Sequence, residues 1–325
     1  MNFEGLLFGP VPSRRLGFSL GVNNIPRKIC SYSCVYCQIG RTINFSIKRQ
    51  EFYSTDDILD ALTRKIEEVR TGGGRIDYVT FVPDGEPTLD VNLGKHIEAI
   101  KSTGMKVAVI SNASLIDNED VASDLMDADW VSLKVDAIDD VKWKIIDRPH
   151  GSLNHSIILD GIRKFSEKYH GILATETMLV DGIQDLGEIH IIAEYLSSLR
   201  KLDLAYISVP TRPPAEEYVK PPSDELINAA FQVFNNHLGN TKVSLLTGYE
   251  GSEFFTGESL EDEILNILAV HPMREDALLE VIERSGESAE FVDHMVKYGK
   301  ISKVPYMGKF FYILPPKIER IKPNS

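Results

Sequence analysis

Cysteine is almost missing from this sequence: of 325 residues only three are cysteines, and all three fall between positions 30 and 37. An odd number of thiols with no partner elsewhere excludes a disulfide framework. Long apolar runs are also lacking. No stretch approaches the ~18 consecutive apolar residues of a membrane-crossing helix, and 26% of the residues are charged, so no membrane association is expected. The opening Met1-Asn2-Phe3-Glu4-Gly5-Leu6-Leu7-Phe8-Gly9-Pro10 has neither a basic n-region nor a long apolar h-region, so a cytoplasmic protein without a secretory signal is expected. Positive charge is scarce, with 35 Lys+Arg against 48 Asp+Glu and a net charge of -13, which argues against uniform coating by nucleic acid. The scarcity is local. Residues 1–50 and residues 295–325 each carry seven basic and one acidic side chain, or +6, and the stretch between them carries -25. The length suits two domains, or one barrel with an appendage, at about 150 residues per domain.

What is present begins with the run Cys30-Ser31-Tyr32-Ser33-Cys34-Val35-Tyr36-Cys37. Clustered thiols in a cytoplasmic chain point to a metal. A closed zinc site needs a fourth protein ligand, and the first histidine after Cys37 is His96. Three thiolates suit a 4Fe-4S cluster whose fourth iron stays open to a small molecule; a zinc loop is the alternative. The C-x3-C-x2-C spacing, with Tyr36 before the last cysteine, resembles the signature of the radical S-adenosylmethionine superfamily. That resemblance implies one 4Fe-4S cluster held by Cys30, Cys34 and Cys37, with S-adenosylmethionine chelated on the open iron. It implies reductive cleavage to a 5'-deoxyadenosyl radical that abstracts hydrogen from a substrate, and an electron donor such as flavodoxin or ferredoxin.

Helix and strand signals then alternate. Ser54 is placed to cap a helix over 55–70, with Asp57 three positions on and Ile58, Leu59, Leu62, Ile66 and Val69 on one face. Gly72-Gly73-Gly74 ends it and reads as a turn, since no strand precedes these glycines and no helix follows to make a phosphate cradle. Strands are expected over 18–22, 78–82, 106–111, 130–135, 173–180 and 205–209, with a seventh possible over 243–246. Helices are expected over 93–103, 119–127, 154–169, 186–199 and 223–238. Short apolar strands between amphipathic helices imply a parallel sheet covered by helices. The fold class is therefore α/β, and six units match the open, partial (β/α)6 barrel of the resembled family. We assign residues 1–250 to that barrel and 259–315 to a second module.

In such sheets the active site lies at the carboxyl ends of the strands. Asp84-Gly85-Glu86-Pro87 follows the second strand and is similar to the family's Gly-Gly-Glu-Pro element, which implies contact with the methionine amino group; Asp84 replaces the first glycine. A plain turn is the alternative. Ser111-Asn112-Ala113 resembles a Ser/Thr-Asn-Gly motif near the nucleoside. Lys134 and Asp136 are candidates for ribose or carboxylate contacts, or else an internal ion pair, because unpaired buried charge is costly. Met178 and Val180 either pack on adenine or belong to the core. Arg212, in Pro210-Thr211-Arg212-Pro213-Pro214, suits a carboxylate or phosphate at the barrel mouth, or is a surface residue. The Arg-Pro-Pro element and Pro10-Val11-Pro12-Ser13-Arg14-Arg15-Leu16-Gly17 resemble the wybutosine-synthesis-enzyme-like subgroup. Arg14 and Arg15 could meet an anionic substrate or counter the charge of the cluster.

From Ser259 onward, helices expected to start at Ser259, over 275–284 and over 288–298 precede strands over 300–304 and 309–314. The strands are joined by Pro305-Tyr306-Met307-Gly308, a winged-helix-like order. Lys297, Lys300, Lys303 and Lys309 make its wing basic, which suits nucleic acid, but Glu290 and Asp293 on the reader helix oppose phosphate; docking to protein is the other reading. The leading function is a radical enzyme acting on an RNA base, such as one in tRNA, or on a protein, as glycyl-radical activases do. A non-enzymatic iron-sulfur regulator that reads DNA is the alternative from a different class.

Overall fold

In the computed structural model, residues 5–247 and 259–315 are described. Residues 1–4 and 248–250 of the expected barrel lie outside the described residues, as do the basic residues at 317, 320 and 322 of the C-terminal end.

The chain starts with an antiparallel hairpin, β1 (Leu7–Ser13) and β2 (Gly17–Val22). A cysteine-bearing loop follows, with a short parallel pair β3 (Ile29–Cys30) and β4 (Asn44–Phe45). Next come α1 (Thr55–Thr71), β5 (Tyr78–Phe81), a 3-10 turn (Pro87–Leu89), α2 (Leu93–Ser102), β6 (Val107–Ser111), α3 (Glu119–Met126) and β7 (Trp130–Lys134). The barrel continues with α4 (Asp140–Ile146), α5 (His155–Lys168), β8 (Ile172–Met178), α6 (Leu186–Ser197), β9 (Leu204–Ser208), α7 (Asp224–Leu238) and β10 (Val243–Leu246). These strands form one eight-stranded curled sheet, β1-β2-β5-β6-β7-β8-β9-β10, parallel from β2 onward. The optional seventh strand is thus real, and β1 adds an antiparallel edge that the sequence reading missed. Pro10 and Pro12 hid it, because proline inside a run argues against a strand except at an edge, which is where β1 lies. Helix α1 begins as expected: Ser54 Oγ accepts from Asp57 N at 3.1 Å.

Side-chain alternation on the parallel strands builds two layers. Val79, Phe81, Val107, Val109, Val131, Leu133 and Ile207 point outward into the main core under the helices. Ala108, Trp130, Ala174 and Tyr206 pack with Leu16 and Leu246 in a separate cluster inside the curl. At about 1.5–3 kcal/mol for each large apolar side chain buried, the two layers fix the strand order and leave the strand ends to the loops.

The C-terminal module holds α8 (Leu260–Val270), β11 (Met273–Arg274), α9 (Glu275–Arg284), α10 (Ala289–Lys297), β12 (Ser302–Tyr306) and β13 (Lys309–Ile313), with sheet order β11-β13-β12. The hairpin turn is tighter than expected. Tyr306 pairs with Lys309, so Met307 and Gly308 alone turn the chain, both with positive φ (49° and 71°). The module's core joins Ile267, Leu278, Val281, Val292 and Met295 to Phe8 and Val11 of β1. Gly21 allows this: a Cβ there would lie 2.0 Å from the Phe8 ring. Among the described residues no helix is long and apolar enough to cross a membrane.

Candidate active site

The loops after β2, β5, β6, β7 and β8 meet at one end of the sheet, and backbone bonds stitch them together. Lys28 N donates to Asp84 O (2.7 Å) and Glu86 N to Ile29 O (3.1 Å), so the cysteine loop runs directly against the Asp84-Gly85-Glu86 segment. Only glycine fits between them, since a Cβ on Gly85 would lie 1.9 Å from Ile29 O. Glu86 is 1% exposed. Its carboxylate accepts from Thr88 N (3.1 Å), Thr88 Oγ1 (2.6 Å), Ser111 Oγ (2.7 Å) and Asn112 N (2.7 Å). Those donors oppose its burial, which pushes its pKa up. The Glu86 side chain thus bolts the end of β6 to the loop after β5.

Asn112 reaches the cysteines: its Nδ2 donates to Ser31 Oγ (2.9 Å) and lies 3.6 Å from Cys30 Sγ. Ala113, at the motif's glycine position, holds a φ of 64°. Asp84 is 3% exposed and paired with Arg27 Nε (2.7 Å) and Lys28 Nζ (3.5 Å). Burial outweighs these cations and pushes its carboxyl up to about 6.

On the far side, Lys134 and Asp136 are brought together with Tyr36. Lys134 Nζ lies 3.7 Å from Asp136, 3.3 Å from Glu176 and 4.7 Å from the centre of the Tyr36 ring. Burial works against the Lys134 charge, but Asp136 and Glu176 hold its pKa above the usual value. The Tyr36 hydroxyl donates to Asp136 and also lies 3.3 Å from Asp147 Oδ1, which Cys34 Sγ approaches at 3.4 Å. Burial, and then the neighbouring Asp136 carboxylate, raise the Asp147 pKa well above its ordinary value. Met178 packs beside Tyr36, Val35 and Val180, and its backbone N–H donates to Asp136 Oδ1 at 2.7 Å.

Three groups at this end were not anticipated. Asp147 escaped because it ends α4, a short helix with no counterpart in the sequence reading. Glu176 accepts from Arg15 and, at 3.0 Å, from Ser208 Oγ; burial would raise its pKa, but Arg15 and Lys134 pull it far below the usual value. Glu216 takes both Arg41 nitrogens at 2.8 Å and also Arg148, which clamps the cysteine loop to the segment after β9. Arg15, named from the sequence as a partner for an anionic substrate or for the cluster's charge, is held by Glu176. Arg212 lies at the same end, donating to Gln38 Oε1 at 2.8 Å, next to the last cysteine in sequence.

With this end assembled, comparison with known proteins decides the family. The Radical SAM superfamily model matches residues 24–196, from just before the cysteine loop to α6. The chain belongs to the radical SAM superfamily. It is 46% identical over 309 residues to a UPF0026 protein of Methanocaldococcus jannaschii, covering 95% of each chain. Among solved structures, TYW1 with a lysine-pyruvate adduct bound superposes with a TM-score of 0.51 at 16% identity, over 67% of this chain and 73% of that one. A radical SAM methyltransferase from Sphaerobacter thermophilus gives 0.50 at 15% identity, over 70% and 66%. At such identities these two structures speak for the shared fold.

Radical SAM enzymes use a 4Fe-4S cluster held by three cysteines together with S-adenosylmethionine, and the donor set here fits. Among the described residues no three His, Cys, Asp or Glu side chains converge as they would around a single ion. Cys30, Cys34 and Cys37 lie together on one loop, all as free thiols, and the sequence has no fourth cysteine to close the set. Burial pushes the three thiols up, Cys30 to about 12 with Glu86 adding to it. Without iron they are neutral thiols, and metal binding displaces their protons.

Proposed function

We propose that Cys30, Cys34 and Cys37 hold a 4Fe-4S cluster whose open iron takes S-adenosylmethionine, and that this enzyme uses it to abstract hydrogen from a substrate. When bound, that pair of groups supplies one-electron cleavage of the sulfonium and a 5'-deoxyadenosyl radical. The observation that carries the reading is the stitching of the cysteine loop to the Asp84-Gly85-Glu86 segment through Gly85, which puts the three thiols beside that segment at the carboxyl end of a curled parallel sheet. Asn112 then orients Ser31 and Cys30, and Lys28 and Lys134 offset the negative charge that three thiolates bring. Tyr36, Lys134, Asp136 and Met178 form the wall toward which the nucleoside or carboxylate would extend. The electron comes from a flavodoxin- or ferredoxin-type donor in a cytoplasmic setting.

Reconstituted anaerobically and reduced, the protein should give a 4Fe-4S electron paramagnetic resonance signal whose g-values shift when S-adenosylmethionine is added. Cys34→Ala should retain no such cluster by iron, sulfide and absorbance. A normal cluster in that variant would remove the ligand assignment.

For the C-terminal module we favour docking over nucleic-acid contact. Its order of helices and strands fits the winged-helix-like expectation, but the wing is not openly basic: Lys300 pairs with Glu261 and Lys303 with Glu275. The module instead leans on the barrel mouth, where Tyr306 OH donates to Pro210 O at 3.0 Å and Gln38 Nε2 to Val270 O at 2.8 Å. The reading of a tRNA base as substrate rests on the resemblance of the Arg-Pro-Pro element and of residues 10–17 to the wybutosine-synthesis-enzyme-like subgroup.

A further inference from the structure

Inside the barrel mouth, beneath the C-terminal module, lies a chamber of about 110 Å³. Gln38 borders it on the side of the cysteine loop. Ser19 of β2 and Thr80 of β5 give it a polar wall, their hydroxyls 2.7 Å apart. The end of α8 closes it with Val270 and His271, and Phe8 and Val11 of β1 line its apolar side. In a chain of net charge -13, no carboxylate lines this chamber among the described residues, while Arg15, Arg212 and His271 all do.

Both guanidinium groups are held in place. Glu176 grips Arg15 from one side, and Arg15 Nε is buried with no hydrogen-bond partner among the described residues. Arg212 is braced by Gln38 at 2.8 Å and by His271 Nε2 at 2.8 Å. A planar fork fixed beforehand loses little freedom when it takes a carboxylate or phosphate, which is the geometry arginine serves best. The volume suits a headgroup on a short stem, a few non-hydrogen atoms in all.

We infer that this chamber binds a small molecule through an anionic headgroup, a carboxylate or a phosphate, and that it is the substrate pocket, completed by the C-terminal module. This rests on the radical reading above, since only that reading gives a molecule in this position a role.

The test is isothermal titration calorimetry of the full-length, cluster-free protein at low ionic strength, with inorganic phosphate and pyruvate as separate probes. At least one should bind one to one, and added chloride should weaken it. Which probe wins distinguishes the phosphate source from the carboxylate source, and either supports the inference. Arg212→Gln should weaken binding about tenfold or more, and Arg212→Lys, which keeps the charge but loses the fork, by less; circular dichroism checks that both are folded. Binding of neither probe to the wild type, or equal binding to wild type and Arg212→Gln, overturns the inference. So does complete displacement of the probe by S-adenosylmethionine, which would make this the seat of the cofactor's own carboxylate. Cleavage of S-adenosylmethionine by the wild type is followed separately, so a protein that cleaves it but binds no anion fails this inference alone.

Discussion

Asp84 shows how far a single residue could be read ahead of the structure. Its position in an Asp-Gly-Glu-Pro run was legible, but its partners were not: Arg27 and Lys28 lie far from it in sequence and meet it only because the cysteine loop folds back onto the segment after β5. The +6 of the first fifty residues is largely explained in the same way, with Arg15 on Glu176, Arg27 and Lys28 on Asp84, Arg41 on Glu216 and Arg49 on Asp124. These are internal partners more than a surface for polyanions, and composition alone cannot tell the two apart. The folded pKa of Asp84 is about 6, above the ordinary aspartate value of about 3.9. Its proton is thus held more tightly in the folded state, and its contribution to stability is present below about pH 4 and lost as pH rises through about 6. In the cluster-free protein the stability of Asp84→Asn relative to wild type should therefore improve by about 2–3 kcal/mol between pH 4 and pH 7, read from urea midpoints. A difference that moves the other way would show that Arg27 and Lys28 outweigh the burial.

At the level of elements, hydrophobic period and capping residues carried most of the barrel. Ser54 caps α1 as its spacing with Asp57 indicated, and the parallel strands lie within a few residues of where apolar runs placed them. What escaped were β1, whose prolines contradict strand propensity, and α4, one short helix inside what looked like a connection. Both matter to the site, since β1 carries Phe8 and Val11 to the chamber wall and α4 ends at Asp147. Gly85→Ala places a carbon 1.9 Å from Ile29 O, so the cysteine loop and the segment after β5 must part. A loss of about 3 kcal/mol or more in denaturant unfolding should accompany failure to retain a cluster. Wild-type stability and cluster content in that variant would mean that the close approach does not organise the site.

For the whole molecule, the module and the barrel share one core through Phe8 and Val11, so the chain is better described as a barrel with a fitted cap than as two independent domains. That sharing was invisible in sequence, because it joins residues near opposite ends of the chain across Gly21. If the cap docks and does not read nucleic acid, replacing Lys300, Lys303 and Lys309 together with glutamine should leave any weak RNA binding unchanged in a filter or anisotropy assay. A salt-dependent affinity that falls tenfold or more in the triple variant would restore the RNA reading. Under the proposed function, three cysteine ligands leave one iron of the cluster open to S-adenosylmethionine. This is tested by reducing the anaerobically reconstituted protein with S-adenosylmethionine present and assaying the products by chromatography. We predict that 5'-deoxyadenosine and methionine appear together in equal amounts; an intact, reduced cluster that yields neither would contradict the account.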